Sequence, residues 1–108
     1  MKKLIENFPS QLKAAIELGQ SVKLSKGNQE IRNVVIAGMG GSGIGGNLIE
    51  SFVASELTVP IVIIKSYEIP FCVNEHTLFL ACSYSGNTEE TTQALQKAIS
   101  QKAQIICI

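Results

Sequence analysis

Four short apolar runs constrain this chain more than any other feature: Val34-Val35-Ile36-Ala37, Ile61-Val62-Ile63-Ile64, Leu78-Phe79-Leu80-Ala81-Cys82 and Ile105-Ile106-Cys107-Ile108. None alternates apolar with polar residues, and β-branched residues dominate most of them. A strand with one wet face has to alternate. Unbroken runs therefore predict strands buried on both faces, as in a parallel sheet covered by helices. Helical stripes fall between the runs: Ile44, Leu48, Ile49, Phe52 and Val53 after the first, and Thr91, Leu95, Ala98 and Ile99 after the third. The segment Ser66 to Thr77 contains Pro70 and no helical period. Its length is near the ~12-residue minimum for a parallel crossover, so it is expected to cross as a loop.

Ahead of the first run, Leu4, Ile5, Phe8, Leu12, Ala15, Ile16 and Gly19 recur at helical spacing, predicting a helix over about residues 2–24. Pro9 suits a first helical turn, which places the start of the main helix near it. Ser25 to Glu30 reads as a polar linker with a Gly27-Asn28 turn. The order is α-β-α-β-loop-β-α-β. It predicts a three-layer α/β/α doubly wound parallel sheet, flavodoxin-like, forming one domain over 1–108 with its core from about 31 to 108. The last run ends the sequence without a helix after it, so the sheet is expected to be truncated after its fourth strand.

Composition removes several function classes. The 108 residues, 45% hydrophobic and 17% charged, suffice for one packed domain. Nine Lys plus Arg balance nine Asp plus Glu, without the basic excess that nucleic acid demands. No apolar stretch approaches the ~20 residues of a membrane span. Glu6 and Pro9 interrupt any signal-peptide core. Cys72, Cys82 and Cys107 are odd in number and lack CxxC spacing, which assigns them neither a disulfide nor a metal. Cys82 and Cys107 read as small buried hydrophobes. A reducing cytoplasm fits this pattern.

Two loops carry the chemistry. Gly38-Met39-Gly40-Gly41-Ser42-Gly43-Ile44-Gly45-Gly46 follows the first run and opens a helix, with glycine at six of nine positions. Such a loop lets backbone approach a ligand closely, and its exposed N–H groups lie at the positive end of a helix dipole, favouring an anion. Ser83-Tyr84-Ser85-Gly86-Asn87-Thr88 follows the third run. Capping by Asn87, with Glu90 as its partner, accounts for two of the residues there but not for Ser83 and Ser85. In open α/β sheets ligands bind beyond the strand carboxyl ends, where the winding reverses. Ser42, Ser83, Ser85 and Thr88 are thus expected to converge on one phosphate. Gly38-x-Gly40-x-x-Gly43 also matches a dinucleotide fingerprint, and Lys65 at the second strand's end would suit the 2′-phosphate of NADP. In that scheme the second loop has no role.

Both loops resemble the signature loops of the sugar isomerase (SIS) domain, in particular that of bifunctional phosphoglucose/phosphomannose isomerases. The stretches Asn7-Phe8-Pro9-Ser10-Gln11 and Ser66-Tyr67-Glu68-Ile69-Pro70 resemble that family as well. The resemblance implies the SIS fold and the N-terminal part of a protein carrying two such domains. It implies interconversion of glucose 6-phosphate or mannose 6-phosphate with fructose 6-phosphate, no cofactor and a homodimer. Gly41 and Ser42 would bind substrate, with Ser83, Ser85 and Thr88 as phosphate ligands. The family's arginine, catalytic glutamate, histidine and lysine would come after Ile108. No catalytic role therefore falls to Glu68, His76 or Lys65, and the 108 residues alone are expected to be inactive. His76 reads as a solvated loop residue. SIS domains also serve as phosphosugar sensors in transcription regulators, which leaves a non-catalytic binding module as the alternative.

Overall fold

In the computed structural model, which describes residues 1–108, the apolar runs become β1 (Asn33–Ala37), β2 (Ile61–Ile64), β3 (Thr77–Ala81) and β4 (Gln104–Cys107). The helices are α1 (Lys2–Ser21), α2 (Gly40–Val53) and α3 (Glu89–Ser100). All strand pairs are parallel, in the order β2-β1-β3-β4. Val34 pairs with Ile61 on one side and Leu78 on the other, so β1 and β3 occupy the centre.

The winding reverses between those two strands. From β1 the chain passes through α2 to β2 on one flank; from β3 it passes through α3 to β4 on the other. Two right-handed crossovers in opposite directions must lie on opposite faces. Packing agrees. Gly46 of α2 sits on Ile36 and Ile63, whereas Ala94 and Ala98 of α3 belong to a cluster with Val35, Ala37, Phe79 and Ala81. Successive strand residues point to opposite faces, so α2 and α3 sandwich the sheet. The segment between β2 and β3 crosses without a helix and contributes Val73 to the α3-side cluster. Lys97 of α3 ties it down through a 2.6 Å ion pair with Glu68.

Burial on both faces holds for β1 alone, where Val34 to Ala37 are all buried. In β3 burial alternates, because Leu78 and Leu80 face the side on which no helix covers β3 and β4. The outer strands β2 and β4 are mostly half-buried. Cys107 is accordingly exposed and Cys82 only half-buried, so the expectation of two buried thiols is corrected.

Two helices differ from expectation in their details. The start of α1 lies at Lys2, not near Pro9. The stripe Leu4, Ile5, Phe8, Leu12, Ile16 keeps one period across the proline, and the helix continues at the loss of one N–H donor. None of its residues is buried. In α2 the face against the sheet is Gly43 and Gly46, while Ile44, Leu48, Ile49 and Phe52 point outward. Glycines let helix and sheet approach closely, so the small residues rather than the large ones take the inner face. Likewise α3 buries Thr91, Ala94 and Ala98 and leaves Ile99 exposed.

Candidate functional site

Both loops leave the same edge of the sheet at neighbouring strands. Ala37 pairs with Ala81, so Gly38 and Cys82 emerge side by side. Ladder hydrogen bonds continue into the loops: Gly38 N donates to Ile64 O (3.1 Å), Cys82 N to Ala37 O (2.8 Å) and Ser83 N to Ile108 O (3.0 Å). The two helix N-termini then diverge to opposite faces at the switch point, the position at which open α/β sheets bind ligands.

The first loop is a sharp turn into α2. Gly40 has φ +53°, a conformation that favours glycine, and Met39 is the N-cap without a side-chain cap. Ser42 N and Gly43 N both donate to Met39 O, at 3.1 and 3.3 Å. The amides of Gly40 and Gly41 have no protein acceptor, and neither has the Ser42 hydroxyl. These are orphan donors at the positive end of a helix with no acid in its first turn.

The second loop is closed by its own hydroxyls. Ser83 Oγ and Thr88 Oγ1 lie 2.8 Å apart, Gly86 N donates to Ser83 Oγ at 3.1 Å, and Asn87 N donates to Ser85 Oγ at 3.2 Å. Gly86 completes the turn with φ +73°. A hydroxyl carries one hydrogen and two lone pairs. Ser85, used as an acceptor, keeps its hydrogen free; of the Ser83–Thr88 pair one hydrogen is spent between them and the other remains. The N-cap is Thr88, not Asn87, and its hydroxyl turns to Ser83 instead of capping α3. The capping reading of Asn87 and Glu90 is thereby corrected.

Charge is arranged asymmetrically around the switch point. Glu89 and Glu90 in the first turn of α3 face the Tyr67 phenol. Desolvation, then these two carboxylates, push that phenol above its ordinary 10.0. On the other side Lys65 follows β2, its stem lying against Gly43. Thr91 is buried with an unpartnered Oγ1 and lines, with Ser83 and Gly86, a cleft of about 260 Å³. The sequence places Thr91 in a helical stripe and at the end of the stretch that resembles the family's second loop, without a site role; its position one turn after Thr88 was the available signal. His76 lies at the opposite edge of the sheet, just before β3, where its Nδ1 is 2.9 Å from Glu30 O. It is a half-buried brace on the linker, not a solvated residue, and the topology keeps it away from both loops.

No protein-family model matches the chain. It is 42% identical over 104 residues to the bifunctional phosphoglucose/phosphomannose isomerase of Caldicellulosiruptor bescii, covering 96% of this chain and 31% of that protein. The enzyme of the same name from Thermoplasma volcanium is 38% identical over 97 residues, covering 90% of this chain and 30% of that one. The chain thus spans less than a third of the length of these curated relatives. Among solved structures, a provisionally assigned phosphosugar isomerase of Salmonella typhimurium superposes with a TM-score of 0.67 at 28% identity, over 73% of this chain and 25% of that one. One of the same description from Bacillus subtilis gives 0.64 at 27%, over 75% and 26%.

Proposed function

The chain is homologous to part of the bifunctional phosphoglucose/phosphomannose isomerases, and from that premise we propose that its two loops anchor the phosphate of a hexose 6-phosphate. The intact protein would interconvert glucose 6-phosphate or mannose 6-phosphate with fructose 6-phosphate. The observation that carries this reading is the pairing of two donor-rich loops at the winding reversal, one from β1 and one from β3. The Gly40 and Gly41 amides, the Ser42 and Ser85 hydroxyls and the free hydrogen of the Ser83–Thr88 pair are available to phosphate oxygens.

Isomerisation moves a proton between neighbouring sugar carbons through an enediol, which requires a positioned base, a ring-opening acid and a donor for the developing oxyanion. The anchor's task is registration: gripping the far phosphate fixes the reacting carbons against those groups. In this proposal the proton-transfer groups come from sequence beyond Ile108. In this reading the 108 residues belong to one SIS domain, with the helix α1 over Lys2–Ser21 ahead of a core over about 31–108. A cytoplasmic homodimer completes the reading; it draws support from the outward apolar faces of α1 and α2, including Leu4, Phe8, Leu48 and Phe52.

Calorimetric titration of the intact protein with fructose 6-phosphate, beside a coupled isomerase assay, tests this. Ser42→Ala, Ser85→Ala and Thr88→Ala should each weaken binding by about 1.5–3 kcal/mol, the range for hydrogen bonds to charged groups. Unchanged affinity in all three would overturn the cradle. Tight binding without turnover would favour the sensor alternative.

A further inference from the structure

We propose that Lys65 supplies a positive charge to the phosphate cradle, an inference that rests on the phosphosugar reading above and deepens it. Lys65 directly follows β2, at the same sheet edge as both loops. Its aliphatic stem crosses the first turn of α2: a Cβ on Gly43 would stand 2.9 Å from Lys65 Cε and 3.3 Å from its Cδ. The ammonium is one bond beyond Cε, so it lies at the glycine loop.

No carboxylate neutralises it there. The ion pairs of the molecule are Lys2–Glu6, Arg32–Glu30 and Lys97–Glu68, and α2 has no acid in its first turn. Glu89 and Glu90, in the first turn of α3, face Tyr67. A cation beside a helix N-terminus opposes the macrodipole and is unfavourable when nothing negative lies between them. Lys65, the two orphan amides and the dipole therefore share one unmet requirement, an anion. A phosphate dianion held by the loops meets it. Lys65 is exposed, so its charge acts through solvent, strengthening and steering the approach of the phosphate rather than fixing its geometry. That division of labour leaves orientation to the amides and hydroxyls.

The test is titration of fructose 6-phosphate into the intact protein at about 20 mM and about 200 mM salt, on either side of the range where screening shortens to molecular distances. Lys65→Met keeps a stem over Gly43 and removes the charge. It should bind about five- to tenfold more weakly at low salt, with the gap narrowing at high salt. Lys65→Arg should stay within about threefold of the unmodified protein. Lys13→Met, on the outer helix, should match it. A thermal melt of each variant confirms folding, and Lys65→Gln replaces the Met variant if that one is unfolded. Equal low-salt affinity for the charge-removing variant and the unmodified protein overturns the role of Lys65 while leaving the phosphosugar reading in place. Failure of the unmodified protein to bind removes both.

Discussion

Replacing Gly43 and Gly45 singly by alanine probes how the first loop is built, because two helical glycines two residues apart should respond oppositely. A Cβ on Gly45 meets nothing within 4 Å, whereas one on Gly43 meets the Gly38 carbonyl oxygen at 2.8 Å and Lys65 Cε at 2.9 Å. Alanine is favoured over glycine in a helix by about 0.8–1.0 kcal/mol, so Gly45→Ala should stabilise by about that amount. Gly43→Ala collects the same gain but must open the contact with Gly38. Lys65 can swing aside; Gly38 cannot, since it is buried at the end of β1 with its N–H bonded to Ile64 O at 3.1 Å. Overpacking of this kind costs about 1–3 kcal/mol. The net for Gly43→Ala is about 0–2 kcal/mol of destabilisation, and the two variants should differ by about 1–3 kcal/mol. Urea unfolding followed by far-ultraviolet circular dichroism reads the difference as a shift in midpoint. A midpoint for Gly43→Ala at or above that of Gly45→Ala would refute the close approach of β1's end to α2.

Two further outcomes concern titratable groups. Ionised Tyr67 would face Glu89 and Glu90, and its phenol in the fold is held above 10.0, so its stabilising contribution is present below pH 10 and is lost as pH rises through the folded value. Unfolding free energy should fall above about pH 10, less steeply in Tyr67→Phe; identical slopes would contradict the contact. Burial, then the neighbouring Cys107, push the Cys82 thiol above 9.0, while Cys72 is exposed. Timed iodoacetamide labelling at pH 8 with peptide mapping should therefore modify Cys72 before Cys82, since the thiolate is the nucleophile; equal rates would count against that burial.

The unbroken apolar runs and the two strand-to-helix loops were legible from residue types alone. A run of four apolar residues conflicts with a solvated loop, although only β1 is buried on both faces. Six glycines in nine positions conflict with a long uninterrupted helix, although five of them fall in the first turns of α2. Strand identity, the crossover without a helix and both loops follow from such local conflicts, so they needed no tertiary information. The pattern of burial did not follow. Ile44, Leu48 and Phe52 form a proper helical stripe, yet α2 turns Gly43 and Gly46 to the sheet, because a close helix–sheet contact rewards absence of side chain as much as presence of apolar surface.

The same division runs through the candidate site. Ser42, Ser83, Ser85 and Thr88 could be named as candidates from the composition of their loops, and Gly41 from the family resemblance alone. Which of their hydrogens are free could not, because that depends on Ser83 reaching Thr88 and on Asn87 N donating to Ser85. That Lys65 lies against Gly43, and that Thr91 is buried beside Ser83 and Gly86, emerges only when β2 is laid beside β1 and α3 is docked on the sheet. Local patterns determine which elements form, because propensity and periodicity act within a few residues. Long-range packing decides which faces are covered, which donors stay free and where charge is left unpaired, because those depend on neighbours supplied by strand order.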